Sequence, residues 1–196
     1  GRTEEMDDNK ALYAQPTSAR SLAELLPGAD IFLGLSAARV LKPEWLAKMS
    51  DKPLILALAN PEPEVMPDIA KAARPDAIIA TGRSDFPNQV NNVLCFPFIF
   101  RGALDVGATT VNEAMKLATV RALADLAMAE QSDIVAQAYD IENLRFGPEY
   151  LIPKPFDPRL VVQIAPAVAK AAMESGVATR PITDFTAYRE KLMQFV

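Results

Sequence analysis

The densest set of groups able to bind a polar ligand is Asn88-Gln89-Val90-Asn91-Asn92, four amides in five residues. It is followed closely by an apolar block, Cys95-Phe96-Pro97-Phe98-Ile99-Phe100. A carboxamide both donates and accepts, so it can hold a hydroxyl, a carboxylate or another carboxamide. Amides anchored to an apolar block suit a preorganised ligand surface. The same letters also suit an Asx-rich turn that caps a helix near Val90, and both readings stand at this level. Asn60, before Pro61, carries the same choice between a ligand contact and a turn. Arg83, Asp85, Arg101 and Asp105 flank the amide block. An arginine there could clamp a carboxylate with two hydrogen bonds or pair with its neighbouring aspartate and shape the loop. Cys95 lies in an apolar run and reads as an inert thiol rather than a nucleophile.

Other chemistries are excluded by composition. The 196 residues contain no histidine, so no Ser-His-Asp triad, His-liganded zinc site or imidazole proton shuttle can be built from them. A single cysteine forbids an internal disulfide and suits a reducing, cytoplasmic setting. Lys+Arg 20 against Asp+Glu 25 gives a net charge of −5 with both signs scattered, which disfavours nucleic acid as a partner. No apolar run approaches the ~20 residues of a membrane span, and the polar start Gly1 to Lys10 is unlike a signal peptide. Neither a paired-carboxylate site nor a metal-ligand spacing stands out.

The elements that position these groups come from periodicity. Ala29–Ser36, Pro53–Ala59 and Asp76–Thr81 are short apolar runs ended by small residues or by Asn60-Pro61, and read as buried strands. A helical pattern over Lys42–Met49, with Pro43 in the first turn, and another over Pro67–Ala73 separate them. The result is α/β: a βαβαβ parallel sheet. Ser18–Leu26 fits a helix leading into the first strand. The pattern therefore starts in mid-fold, as a partial Rossmann-like, doubly wound sheet without its founding unit. No G-x-G-x-x-G phosphate turn is present. The second half is helical. Thr110-Val111-Asn112-Glu113 reads as a capping box opening a helix to about Glu130. Asp157-Pro158 opens another that ends at Gly176, with Pro166 inside it expected to cause a kink. Phe185, Tyr188, Leu192 and Phe195 mark an apolar stripe on a terminal helix. Residues 1–108 are assigned to the sheet domain and 109–196 to a helical extension.

In an open parallel sheet, ligands bind beyond the carboxyl ends of the strands. Those ends are Gly34-Leu35-Ser36, Ala59-Asn60-Pro61 and Thr81-Gly82-Arg83-Ser84-Asp85, which carry small or neutral polar groups and no cluster of acids.

Several stretches together resemble prokaryotic malic enzymes: Ala57-Leu58-Ala59-Asn60-Pro61-Glu62-Pro63-Glu64, residues 80–92, Phe96–Asp105, Phe146-Gly147-Pro148-Glu149-Tyr150 and Ile152–Arg159. The subtype resembled includes hybrids that carry a phosphotransacetylase-like domain. The resemblance implies oxidative decarboxylation of L-malate to pyruvate and CO2 with NADP (or NAD) and with Mg²⁺ or Mn²⁺. It also implies that Asn60 and Ser36 contact the cofactor, Asn60 at its nicotinamide-ribose end. Asn92, with Asn91 beside it, would hold the substrate or the nicotinamide carboxamide. The family's Lys/Tyr proton-transfer pair, its metal ligands and its glycine-rich turn match nothing in this sequence. They are expected in a missing N-terminal region of a homo-oligomeric enzyme, so this chain alone is expected to be inactive and poorly stable. Lys10, Lys42, Tyr13 and Tyr139 match no catalytic motif, and Arg2 or Lys10 could at most reach a 2′-phosphate. The competing class is a non-catalytic Rossmann-like binding or assembly module; a third reading is the nicotinamide half of another dehydrogenase.

Overall fold

The computed structural model describes residues 4, 6–129 and 145–195. Arg2, Glu130 and Tyr139, about which the sequence raised expectations, lie outside the described residues.

Among the described residues three strands form one parallel sheet in the order β1-β2-β3: β1 Ile31–Gly34, β2 Leu54–Ala57 and β3 Ile78–Thr81. Gly34, Ala57 and Thr81 are paired across it, so the carboxyl ends lie level. The crossovers carry α3 (Pro43–Leu46) and α4 (Pro67–Ala73), each with proline in the first turn, where the missing N–H has no helical partner to lose. Phe32, Leu46, Ile55, Ala57, Ala70 and Ile79 join one buried cluster. The expected βαβαβ unit is present, with each strand shorter than its apolar run.

β1 differs from expectation. A run apolar throughout predicts cover on both faces, yet Ile31 and Leu33 are 60% and 58% exposed while Phe32 and Gly34 are buried. Among the described residues β1 is an edge strand, and the core gathers on the side of Phe32. The opening helices also differ. α1 (Asp8–Tyr13) was not anticipated and is capped by Asp7. α2 spans only Leu22–Leu25 rather than 18–26, because the Glu24 carboxylate turns back to accept from Arg20 N and Ser21 Oγ and starts the helix at Ser21.

The helical half packs as α5 (Phe96–Asp105), α6 (Glu113–Met128), α7 (Arg159–Glu174) and α8 (Phe185–Met193) around Met115, Leu160, Ile164, Val168 and Leu192. Ala103 and Val106 at the end of α5 belong to this cluster. The α6 cap is Asn112, not Thr110: Asn112 Oδ1 accepts from Met115 N at 3.1 Å while its Nδ2 donates to Ser175 Oγ at 2.9 Å. That second bond ties the start of α6 to the end of α7, a tertiary contact that the capping-box spacing does not encode. α7 runs unbroken through Pro166 and ends where expected. Gly176 has φ +75°, its N–H donates to Met173 O, and Val177 N–H donates to Ala172 O, the paired bonds of a Schellman end. On α8, Tyr188 and Leu192 are buried as predicted, but Phe195 lies past the helix end, exposed, with Arg101 over its ring at 5.5 Å.

α5 meets α7 at Gly102. A Cβ there would collide with the Ala165 carbonyl oxygen and come within 2.9 Å of Val168 Cβ. Gly102→Ala is therefore expected to force the two helices apart at a cost of about 1–3 kcal/mol, read as a lower denaturant midpoint. An unchanged midpoint would mean that this crossing is looser than described.

Candidate functional site

The level strand ends form a ledge. Past β1 the chain turns at Leu35-Ser36; past β2 it runs through Leu58 and Ala59 to a cis Asn60-Pro61 bond. Leu58 N–H donates to Gly34 O at 3.0 Å, which holds the two turns side by side. Ser36 and Asn60 are both exposed. The third end carries no side chain at Gly82, where a Cβ would sit 2.9 Å from Asn60 Oδ1. The missing methyl lets the Asn60 carboxamide lie over the end of β3. Ser36, Asn60 and Gly82 are thus gathered on one surface from three separate strand ends.

The loop after Gly82 returns to the same place. Val90 N–H donates to Thr81 O at 2.8 Å, so Asn92 lies two residues, at most about 7 Å of chain, beyond a bond to the end of β3. The four amides then divide by role. Asn88 is 3% exposed at φ +56° and is fully engaged. Its Nδ2 donates to Ile79 O at 2.9 Å and to Pro148 O at 2.7 Å, and its Oδ1 accepts from Leu151 N at 2.7 Å. Asn91 Oδ1 accepts from Val93 N at 3.1 Å and caps the 3-10 turn Asn92–Leu94. Asn92 is exposed, and among the described residues its side chain has no hydrogen-bond partner. The turn reading of the sequence holds for Asn91, and the open carboxamide of Asn92 leaves the ligand-surface reading to that residue.

The flanking charges resolve in favour of internal pairing. Arg83 Nε and Nη2 donate to the two oxygens of Asp85 at 2.8 and 2.6 Å, which holds the Asp85 carboxyl below its ordinary range. Arg101 pairs with Asp105 at 2.7 Å, and Tyr188 Oη donates to Asp105 Oδ2 at 2.6 Å, docking α8 onto α5. Burial pushes the Cys95 thiol up, away from thiolate reactivity. Among the described residues no group of three His, Cys, Asp or Glu side chains is placed to hold a metal ion, and no helix is long and apolar enough to cross a membrane.

Sequence reasoning missed Glu64. It is fully buried and accepts from Ser36 N at 2.9 Å and from Ala59 N at 3.1 Å, between the two turns of the ledge. An acid in a Pro-Glu-Pro-Glu run reads as solvated. The signal that could have found it is Gly34, a glycine inside a strand, which often marks a close approach.

A parallel α/β sheet whose carboxyl ends present hydroxyl and carboxamide groups defines a Rossmann-type dinucleotide-binding layer. A family model described as the malic enzyme NAD-binding domain matches residues 3–145, and the chain belongs to that family. It is 68% identical over its whole length to a NAD-dependent malic enzyme of Rhizobium meliloti and 68% identical to a NADP-dependent malic enzyme of Salmonella typhimurium, covering 26% of each. The chain thus spans about a quarter of the length of these relatives. Among solved structures, a malic enzyme from Pyrococcus horikoshii aligns with TM-score 0.71 at 38% identity, over 88% of this chain and 37% of that one. The Entamoeba histolytica malic enzyme aligns with TM-score 0.74 at 35% identity, over 89% and 34%.

Proposed function

We propose that this chain supplies the nicotinamide end of the cofactor site, and part of the substrate cradle, of a malic enzyme that converts L-malate to pyruvate and CO2. The observation that carries the reading is the Asn60 carboxamide lying over Gly82 at the level carboxyl ends of the sheet. A nicotinamide dinucleotide, when bound, supplies the hydride acceptor. Asn60 and Ser36 orient its nicotinamide-ribose end through neutral hydrogen bonds, which leave the charge of the ring uncompensated. Asn92 offers a donor and an acceptor to a substrate carboxylate or to the nicotinamide carboxamide. Asn91 acts through its cap, holding Asn92 in the turn.

In this reading residues 1–108 form the cofactor-side layer and 109–196 a helical extension. A Mg²⁺ or Mn²⁺ ion and the proton-transferring groups belong to residues outside these 196, and the enzyme is a homo-oligomer. NADP is the assigned cofactor, with NAD the alternative. Relatives named for each are equally similar to this chain, so overall identity in this segment does not set the choice.

Asn60→Ala in the full-length enzyme is expected to raise the KM for the dinucleotide about 10-fold, the loss of one neutral hydrogen bond with its partner left unpaired. The malate KM should move little. Steady-state kinetics with malate, Mn²⁺ and each dinucleotide in turn measure this. A cofactor KM within twofold of wild type would remove Asn60 from the site.

A further inference from the structure

Glu64 is 0% exposed, and among the described residues it makes no ion pair. The nearby arginines are engaged elsewhere, Arg39 with Glu62 and Arg83 with Asp85. A lone buried carboxylate is costly unless each oxygen is hydrogen-bonded. Here Oε1 takes the N–H of Ser36 and Oε2 the N–H of Ala59. Those donors sit just past the ends of β1 and β2, and Ala59 directly precedes Asn60. Backbone bonds run the same way, from Leu41 N to Glu64 O at 3.0 Å and from Arg39 N to Pro63 O at 3.1 Å. Gly34 makes the room: a Cβ there would lie 2.5 Å from Glu64 Cδ and 2.6 Å from Oε1.

The chemistry of the side chain is specific. Only a carboxylate accepts at both ends without donating. Glutamine of the same shape would aim an N–H at one of the two N–H groups, and leucine would leave both orphaned. A loop that needed only filling would not bury a charge beneath it.

We propose that Glu64 is a positioning residue for cofactor binding: its carboxylate clamps the turns bearing Ser36 and Asn60 to a common height over the sheet. The inference rests on the reading that Ser36 and Asn60 face the cofactor. Supporting residues of this kind characteristically change affinity without touching the ligand.

The test compares Glu64→Gln, Gly34→Ala and the double variant in the full-length enzyme, by calorimetric titration with NADP and with NAD and by thermal melting. Each single variant is expected to weaken dinucleotide binding on the order of 10-fold. The malate KM should change less than twofold, a split that general loosening of the fold would not produce. The double variant should be no weaker than the worse single one, because both act on one clamp. Unchanged dinucleotide affinity in Glu64→Gln, or equal losses for dinucleotide and malate, overturns the proposal. If Asn60→Ala leaves affinity unchanged, the cofactor reading itself fails; if Asn60→Ala weakens binding and Glu64→Gln does not, only the positioning role fails. Should Glu64→Gln not fold, hydrogen exchange of the wild-type enzyme decides. Saturating NADP is expected to slow the Ser36 and Ala59 amides together, and slowing of one alone overturns the clamp.

Discussion

Asn88→Ala is expected to destabilise the full-length protein by about 3–5 kcal/mol, the largest stability effect at any single side chain of the ledge. The substitution removes three hydrogen bonds at once, to the buried Ile79 O and to the partly buried pair Pro148 O and Leu151 N. An unpaired buried polar group costs about 1–3 kcal/mol. The position also sits at φ +56°, where asparagine is tolerated and alanine pays about 1 kcal/mol more. Asn88→Gly separates the two contributions, since it relieves the backbone and still abandons the hydrogen bonds. Glycine is expected to be the less damaging of the two by about that 1 kcal/mol and still far from wild type. Denaturant unfolding of the three proteins measures the series. A loss below about 1 kcal/mol for Asn88→Ala would mean that water or other groups satisfy those partners, and that Asn88 does not hold the 145–158 segment against β3.

The residues explain why parts of the fold were legible and others were not. Strands with apolar runs and Pro or Gly stops were readable because burial and punctuation are local signals. Their ends were overestimated: in Ala29–Ser36 the apolar Ala29 and Leu35 lie outside the strand, and only hydrogen-bond pairing separates strand from turn. The open face of β1 was not readable from its own letters, because an apolar run states what wants cover and not whether cover is present. The end of α7 was readable, since Gly176 satisfies a local geometric demand. The start of α6 was not, because Asn112 won the cap through a bond to Ser175 sixty-three residues away.

The site divides in the same manner. Asn60, Ser36, Asn91 and Asn92 were legible as polar letters at strand ends or before a helix. Which of them is held and which is open depends on partners remote in sequence. Asn88 is claimed by Pro148 and Leu151, sixty or more residues on. Glu64 was illegible because its donors, the N–H groups of Ser36 and Ala59, belong to the backbone and leave no mark in the letters.

The division among the amides leads to the largest expected effect on catalysis. Asn92→Ala is expected to lower kcat/KM for malate by about 100- to 1000-fold, the range for removing one oriented donor from a reacting centre. Because the Asn92 carboxamide has no partner among the described residues, its loss should leave the melting temperature within about 2 °C of wild type. Asn91→Ala should do the reverse in stability: it removes the cap on Val93 N at a cost of about 1 kcal/mol. Its effect on turnover should be smaller and arise only through the altered seat of Asn92. Asn92→Asp refines the assignment. A carboxylate there repels a substrate carboxylate but still accepts from a nicotinamide carboxamide. A malate KM raised far more than the dinucleotide KM therefore places Asn92 on the substrate, and the opposite split places it on the cofactor. Should Asn92→Ala retain more than about a third of wild-type turnover while Asn91→Ala loses it, the roles of the two neighbours are exchanged. In that case the open carboxamide of Asn92 is a solvated surface group, and the cap formed by Asn91 is the group on which catalysis depends.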